Sequence, residues 1–255
     1  MALEHTRLNA GYSDNYVKLF QERFEDTGYS LCMYITLKRA GGMLLARETV
    51  NDNRLGFYEN LGIPEDKVIG LKQVHSKRVY VLSADDEIPG LKDGGLEGDG
   101  IVTADKALYL TVTTADCLPI FLVDQKTGVF GIVHSGWKGT GIAVNAVERM
   151  HGEYGIRFKN IKAVIGPGIG SCCYSVDRER AALFRKNWGN RSVLKKNGNC
   201  CLDLKTVNAH LLLKKGVEDI TIFDDCTSCN PLLGSYRREG KHAFTRMLAL
   251  IGYFK

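Results

Sequence analysis

The sequence lacks any hydrophobic run long enough to cross a membrane. No segment approaches the roughly 18 consecutive apolar residues of a spanning helix, and the opening MALEHTRLNAGYSDN contains no apolar signal region. Internal repeats, heptads, low-complexity tracts and obvious linkers are also missing. These absences predict a cytoplasmic protein that has no membrane partner.

Dense clusters of positive charge are equally scarce. The chain has 34 Lys and Arg residues against 29 Asp and Glu residues, a net charge of +5, and its cations cluster at most in pairs such as Lys195-Lys196 and Arg237-Arg238. A protein that binds nucleic acid usually carries a denser basic patch. We therefore expect no nucleic-acid partner, although the mild positive charge favours an anionic substrate such as phosphate.

The eight cysteines need not form disulfides. An even number of cysteines suggests a disulfide framework in a short secreted chain, but this chain has 255 residues. Its composition, 44% hydrophobic and 25% charged, is typical of a globular protein that buries a sizeable core. We expect reduced thiols, some of which are available for metal binding or catalysis.

The hydrophobic periodicity predicts a mixed α/β fold in which helices cover the sheets. Strand patterns occupy 29–37, 68–74, 99–103, 111–113, 120–123, 129–133, 161–165 and 220–223, with 79–82 as the hairpin partner of 68–74. Helix patterns occupy 14–24, 44–61, 143–150, 178–184 and 204–215, and 186–199 is predicted to be an exposed connection. We expect a single domain over 41–255, with residues 1–40 as an N-terminal extension packed on it.

Three candidate metal ligands stand at the ends of predicted strands. These are His75, Cys117 and His134, separated by 42 (117 − 75) and 17 (134 − 117) residues. Thiolate and imidazole are good zinc ligands, and three protein ligands plus a water form a catalytic site in which the water pKa falls to about 7. The spacing is not that of a zinc finger. From the spacing alone, two core histidines and a buried thiol are as good an explanation.

Six segments occur in the order and spacing of the YfiH-like family, which is also called the laccase-domain or multicopper polyphenol oxidase family and is now regarded as purine nucleoside phosphorylases. The segments are KQVHS (72–76), DGIVT (99–103), TADCLPIFLVD (114–124), HSGWKGTGI (134–142), IGPGIGSCCYSV (165–176) and SYRRE (235–239). The chain resembles this family from about Asn53 onward. The resemblance implies a YfiH-like α/β (α+β type) fold and implies that His75, Cys117 and His134 match the family's metal ligands, normally zinc.

The resemblance also implies two activities at one site. These are phosphorolysis of adenosine, inosine, guanosine and methylthioadenosine to a base and ribose 1-phosphate, and deamination of adenosine by a zinc-bound water. The expected partners are purine nucleosides and phosphate, and the chain is expected to be a monomer or a homodimer.

Three alternatives to a zinc enzyme stay open. A copper polyphenol oxidase is one, since two histidines and a cysteine also form blue-copper centres, although six histidines are few for an additional trinuclear copper site. A cysteine hydrolase is the second, with Cys117 as nucleophile and His134 or His75 as base. A non-catalytic nucleotide-binding protein is the third, and would follow from an empty metal site.

Further residues are candidates for the substrate pocket. Asp116 could orient a ligand histidine or act as a general acid. Arg54, Lys72 and Arg246 could hold phosphate, because phosphorolysis needs cationic donors beside the attacking oxyanion. Gln73 precedes the first ligand histidine by two residues and would share its face of a strand. For each cation, a structural ion pair is at least as good an explanation.

The remaining cysteines are predicted to lie near the pocket. Cys226 and Cys229 form a CxxC pair that could be redox-active, could bind a second metal, or could be two structural thiols, which we favour. Cys172 and Cys173 belong to a glycine-rich loop that could cradle phosphate or ribose, or could simply be a turn.

Overall fold

The computed structural model describes residues 2–11, 14–24, 28–44, 51–83 and 95–255. Its strands are Ala2–Thr6 (β1), Tyr16–Phe24 (β2), Tyr29–Thr36 (β3), Val68–Gly70 (β4), Val79–Leu82 (β5), Gly100–Thr103 (β6), Tyr109–Thr114 (β7), Leu118–Asp124 (β8), Phe130–Ser135 (β9), Ile161–Ile165 (β10), Ser175–Val176 (β11), Val193–Lys196 (β12), Asn199–Leu202 (β13), Asp219–Phe223 (β14) and Met247–Phe254 (β15). Its α-helices are Asp52–Leu61 (α1), Ile142–Tyr154 (α2), Arg178–Trp188 (α3), Leu204–Lys215 (α4) and the single turn Tyr236–Glu239 (α5).

Two large sheets organise these elements. A seven-stranded sheet has the order β1-β14-β10-β8-β9-β6-β5, and a five-stranded sheet has the order β2-β3-β15-β7-β4. Both sheets mix parallel pairs, such as β10–β14 and β4–β7, with antiparallel pairs. A small sheet, β11-β13-β12, stands apart from them. The predicted α/β fold with mixed sheets and covering helices is confirmed.

The two faces of β8 show where the core lies. Phe121 and Val123 belong to a buried cluster shared with strands β3, β7 and β15 of the other sheet. The intervening Ile120 and Leu122 belong to a second cluster shared with α2, α3 and α4. Since successive side chains of a strand point to opposite faces, the seven-stranded sheet is buried on both sides. This explains why β8 reads as a continuous apolar run rather than an alternating one.

Several predicted helices are confirmed, together with their caps. The apolar stripe of α2 faces the core through Ala146 and Met150. Asp177 begins α3 by accepting a hydrogen bond from the backbone N–H of Arg180, and Asp203 caps α4 in the same way. Helix α4 ends at Gly216, which has a φ of 96°.

The predicted helix over 14–24 is wrong, because this segment is strand β2. It pairs antiparallel with β3, and the register shifts between Lys18 and Phe20. The bulge leaves Leu19 as an extra residue, and both Leu19 and Phe20 pack against the core between the sheets. Two successive apolar residues on one face interrupt the period of two. This interruption produced the apparent helical spacing.

Three further expectations differ from the structure. The strand predicted over 68–74 ends at Gly70 as β4. The predicted hairpin between 68–74 and 79–82 is wrong, because β5 pairs parallel with β6. The predicted connection over 186–199 contains strand β12, whose Val193 is buried. The helix predicted over 44–61 is present as α1, while residues 45–50 of that prediction lie outside the described residues.

The first forty residues contribute to both large sheets. Strand β1 pairs parallel with β14, and β2 and β3 form one side of the five-stranded sheet. Within the described ranges, no helix combines the length and apolar character that crossing a membrane requires.

Candidate metal centre

His75, Cys117 and His134 converge where the chain passes from one sheet to the other. Strand β7 ends in the five-stranded sheet, and residues 115–117 carry the chain to β8 in the seven-stranded sheet. Strand β9 pairs with β8, and His134 lies opposite Pro119 in that pairing. His75 approaches from the loop after β4. The ligand atoms of the three side chains lie within 4.8 Å of one another.

Asp99 holds two of these residues in place and is completely buried. One carboxylate oxygen accepts hydrogen bonds from the backbone N–H of His75 at 3.0 Å and from Nδ1 of His134 at 2.9 Å. The other oxygen accepts the N–H and the hydroxyl of Ser76 at 2.6 and 2.7 Å. An ionised carboxylate only accepts hydrogen bonds, so Nδ1 of His134 carries its proton and Nε2 is left for a metal.

Two residues at the site have left-handed backbone conformations that side chains other than glycine rarely adopt. These are His75, with a φ of 59°, and Asp116, with a φ of 97°. Such conformations persist only where surrounding contacts hold them. For His75, those contacts are the hydrogen bonds to Asp99.

Cys117 and His134 shift each other's pKa. Burial raises the pKa of the Cys117 thiol, but the charges and hydrogen bonds of His134 and His75 outweigh burial and bring this pKa to about 6. Burial lowers the pKa of His134, but the Cys117 thiolate and Asp99 outweigh it and bring this pKa to about 9. Near neutral pH the metal-free site therefore holds a thiolate–imidazolium pair in which His134 is buried and Cys117 is half-buried.

Gly136 leaves the space that the centre needs. A Cβ at this position would lie 2.7 Å from Sγ of Cys117 and 3.3 Å from Cδ2 of His75. Any larger residue would displace the two side chains, so the glycine that follows His134 by two residues fits the centre for a steric reason.

A cavity of about 840 Å³ opens onto this centre. Three arginine–aromatic pairs line it, with guanidinium carbons 4.9, 5.5 and 4.2 Å from the ring centroids: Arg180 on Trp137, Arg237 on Tyr174, and Arg246 on Phe244. The volume lies within the range of small-molecule sites. Flat apolar rings beside fixed cations can take a ligand that has both an aromatic ring and an anion.

The predicted phosphate-binding residues divide into two groups. Lys72, Gln73 and Arg246 line the cavity. Arg54 does not: it is buried and donates hydrogen bonds to Tyr58, Met43 and Thr111. Its position inside the layer between α1 and the five-stranded sheet makes Arg54 a structural residue.

The cavity cations differ in how far they are neutralised. Lys72 forms an ion pair of 2.7 Å with Glu97. Arg246 forms no ion pair and no side-chain hydrogen bond with the described residues, and burial lowers the pKa of its guanidinium. Gln73 is held against β7, because its amide exchanges three hydrogen bonds with Thr113. Of Lys72 and Arg246, the arginine is therefore better placed to receive an anion.

The Asp116 carboxylate joins three segments of the chain. It accepts hydrogen bonds from the hydroxyl of Thr227 at 2.6 Å, the hydroxyl of Ser235 at 2.7 Å and the backbone N–H of Arg237 at 2.7 Å. These bonds make Asp116 an anchor for helix α5, which carries Arg237, on the wall of the cavity.

The four predicted pocket cysteines form a separate cluster. The Sγ atoms of Cys172, Cys173, Cys226 and Cys229 all lie within 4.8 Å of one another. None of the four is among the residues that line the cavity, although their loops border it through Ile169 and Tyr174.

The sequence reasoning missed three important residues. Asp99 was visible only as the first residue of DGIVT, an acidic residue beside an apolar strand. Arg180 and Arg237 reach the cavity from α3 and α5, far along the chain from the metal ligands. No local sequence pattern predicts such residues, because their position at the cavity depends on tertiary packing.

This geometry defines a class of protein, namely an α/β protein with a candidate His₂Cys centre at the wall of a ligand cavity. The family model "Multi-copper polyphenol oxidoreductase laccase" matches residues 21–253. The chain therefore belongs to this family, as its motifs predicted.

The relatives and a solved structure agree with this assignment. A purine nucleoside phosphorylase of Deinococcus radiodurans is 38% identical over 205 residues, covering 80% of this chain and 77% of that protein. Adenosine deaminase RL5, from an unknown prokaryotic organism, is 33% identical over 216 residues, covering 80% and 78%. The crystal structure of YlmD from Geobacillus stearothermophilus matches with a TM-score of 0.79 and 30% identity, over 88% of this chain and 92% of that one. The relatives named in this way are enzymes.

Proposed function

We propose that this chain is a zinc-dependent purine nucleoside phosphorylase that also deaminates adenosine. The observation that carries the proposal is the position of His75, Cys117 and His134 at the wall of a cavity lined by arginine–aromatic pairs. The names of the related phosphorylase and deaminase support it. The substrates proposed are adenosine, inosine, guanosine and methylthioadenosine, with phosphate as the second substrate.

The residues at the centre fit zinc. One thiolate and two imidazoles are donors that zinc accepts, and three protein ligands leave a fourth tetrahedral position open. The Asp99 carboxylate behind His134 is the kind of outer partner that fixes a metal-bound imidazole. When bound, zinc supplies a Lewis acid that lowers the pKa of a coordinated water to about 7.

Copper fits the chain less well. A multicopper oxidase needs a histidine-rich cluster, and the chain has six histidines in all. Only His75 and His134 belong to a potential ligand group among the described residues. His5 and His151 are elsewhere, bonded to Asp224 and to the carbonyl of Ile156.

We assign the two substrates to different lining residues of the cavity. Aromatic rings such as Trp137 and Tyr174 provide flat apolar surfaces for a purine. The guanidinium of Arg246, which forms no ion pair with the described residues, can bind phosphate by charge-assisted hydrogen bonds. In phosphorolysis, a phosphate oxygen bonds to C1′ of the ribose while the bond between C1′ and the purine nitrogen breaks, and the bonding pair leaves with the base. The protein's part is to hold the two reactants together in this geometry.

Asp116 is proposed to position the cavity wall rather than to transfer a proton. Its oxygens already accept three hydrogen bonds, from Thr227, Ser235 and the backbone N–H of Arg237. Helix α5, which carries Arg237, depends on this carboxylate for its anchor.

The test combines metal content with product analysis from adenosine. Adenine that forms only with phosphate supports phosphorolysis, and inosine that forms without phosphate supports deamination. Alanine at His75, Cys117 or His134 should abolish zinc binding at the centre and both products. His210→Ala, which changes an exposed histidine of α4, is the matched control and should change neither. If neither adenine nor inosine forms from the zinc-loaded protein, the proposal is wrong.

A cysteine hydrolase is the second candidate, and one observation favours it. Cys117, His134 and Asp99 form a chain of thiolate, imidazole and carboxylate, and the lowered pKa of Cys117 gives a nucleophile. Removing zinc distinguishes the two functions. A hydrolase would retain its activity after zinc removal and would form a covalent adduct at Cys117, whereas the proposed phosphorylase would lose its activity.

We also propose that residues 1–40 fold with the catalytic domain over 41–255 rather than independently. Their strands β1, β2 and β3 are paired within the two large sheets. Limited proteolysis should then yield no stable fragment that lacks them.

A further inference from the structure

Four cysteines from two distant segments meet beside the cavity. Cys172 and Cys173 lie in the loop after β10, and Cys226 and Cys229 lie in the turn after β14. Strands β10 and β14 are parallel neighbours, so their following loops leave the same edge of the sheet. A bridge between Gly168 and Cys226 fixes the two loops side by side. We call these four residues the cysteine cluster.

The distances within the cysteine cluster fit one tetrahedral metal ion. Sγ of Cys229 lies 3.3 Å from Sγ of Cys173 and 3.7 Å from Sγ of Cys172, and all four sulfurs lie within 4.8 Å of one another. Four sulfurs each about 2.3 Å from a zinc ion are separated by about 3.8 Å. The cluster therefore needs little rearrangement to surround zinc.

The backbone around the cluster supports thiolate ligands. The N–H of Gly170 donates a hydrogen bond to Sγ of Cys226 at 3.2 Å. The carbonyl of Cys226 accepts hydrogen bonds from the N–H groups of Cys229 and Asn230, which closes the CxxC segment into a turn. A Cβ at Gly170 would lie 3.1 Å from Sγ of Cys172, so the glycine allows the close approach.

A cation explains this arrangement better than a disulfide or free thiols do. All four cysteines are free thiols in the structure. One disulfide would use two sulfurs and leave two thiols packed against it. A divalent metal would use all four sulfurs, which lie within 4.8 Å of one another.

We propose that the cysteine cluster binds a structural zinc ion, separate from the centre formed by His75, Cys117 and His134. Four thiolates complete the coordination of zinc, and a closed site of this kind stabilises the fold rather than performing chemistry. Binding would release protons from the thiols.

The proposed ion would hold together the segments that shape the cavity. The carbonyl of Cys173 accepts a hydrogen bond from the Arg237 guanidinium at 2.9 Å. Thr227, inside the CxxC turn, donates to the Asp116 carboxylate. A zinc ion in the cluster would therefore brace the wall that carries Arg237 and Tyr174.

Zinc counting on protein purified under reducing conditions tests the proposal. We expect two zinc ions per chain in the unaltered protein, one after Cys229→Ser combined with Cys172→Ser, and one after His75→Ala. Cys200→Ser, a partly buried thiol in β13, is the matched control and should leave two. If the unaltered protein holds one zinc ion and only the double cysteine variant loses it, the result supports the cysteine cluster as a zinc site and refutes zinc at His75, Cys117 and His134. The two proposals can therefore fail separately.

A spectroscopic measurement covers the case in which the double cysteine variant does not fold. X-ray absorption at the zinc edge of His75→Ala should show four sulfur neighbours at about 2.3 Å. The proposal is overturned if the unaltered protein holds at most one zinc ion and His75→Ala removes it. It is also overturned if the ion in the cluster is iron, or if Cys172 and Cys229 form a disulfide in the reduced preparation.

Discussion

Replacing Asp99 by asparagine keeps the size of a fully buried side chain and removes its charge. The carboxylate accepts hydrogen bonds on both oxygens, from His75 and His134 on one side and from Ser76 and the N–H of Val74 on the other. An asparagine has one oxygen and one NH₂ group, so its NH₂ must face donors on one side.

Both orientations of the asparagine are costly. If the NH₂ faces Ser76 and Val74, two backbone N–H groups lose their acceptor, at about 1–3 kcal/mol each, or about 2–6 kcal/mol of folding stability. If it faces His134, that ring must accept at Nδ1, which moves the proton to Nε2 and blocks the metal-binding nitrogen. Loss of such a partner typically reduces metal affinity about 10–100-fold.

Urea unfolding of the metal-free protein and zinc competition with a chelator measure the two effects. Zinc affinity is best followed in the background of Cys172→Ser combined with Cys229→Ser, so that the cysteine cluster does not compete. Asp177→Asn is the matched control, because asparagine caps helix α3 as well as aspartate does. If Asp99→Asn binds zinc within twofold of the parent and unfolds at the same urea concentration, the role assigned to Asp99 is refuted.

Three further predictions address the centre and the cavity. Gly136→Ala should weaken zinc binding, because its Cβ would lie 2.7 Å from Sγ of Cys117, whereas Gly152→Ala, in open space on α2, should not; equal zinc affinities would contradict the steric argument. In metal-free protein, the rate of Cys117 alkylation, measured by mass spectrometry, should increase as the pH rises through about 6, because the thiolate is the nucleophile and the pKa of Cys117 is lowered. An inflection near 8.5, the pKa of an ordinary thiol, would contradict the assigned ion pair. Arg246→Met should raise the KM for phosphate about 10–100-fold, since a charge-assisted hydrogen bond contributes about 1.5–3 kcal/mol. The control Arg191→Met, on the exposed surface, should leave this KM unchanged. An unchanged KM in Arg246→Met would mean that phosphate binds elsewhere.

Local patterns predicted the elements that follow one period without interruption. The stripe of α2, the caps Asp177 and Asp203, and the strand ending at Ile165 are all local properties of the sequence. The bulge after Lys18 is different, because it depends on how β2 pairs with β3. Pairing between segments distant in sequence also decided that β5 joins β6 rather than β4.

The metal ligands of the candidate centre were also predictable from local features of the sequence. His75, Cys117 and His134 are uncommon, chemically suited residues at the ends of apolar segments, and the structure brings their ligand atoms together. Charged residues offered no such signal. Arg54 and Arg246 look alike in the sequence, yet Arg54 is buried between its own helix α1 and the five-stranded sheet, whereas Arg246 faces the cavity.

Anomalous X-ray diffraction at the zinc edge, from crystals grown with zinc and a purine nucleoside, tests the central claim most directly. We predict a zinc peak about 2.0–2.3 Å from one nitrogen each of His75 and His134 and from Sγ of Cys117, with the nucleoside in the adjoining cavity. Nucleoside bound in the cavity without zinc at these three residues would contradict the account.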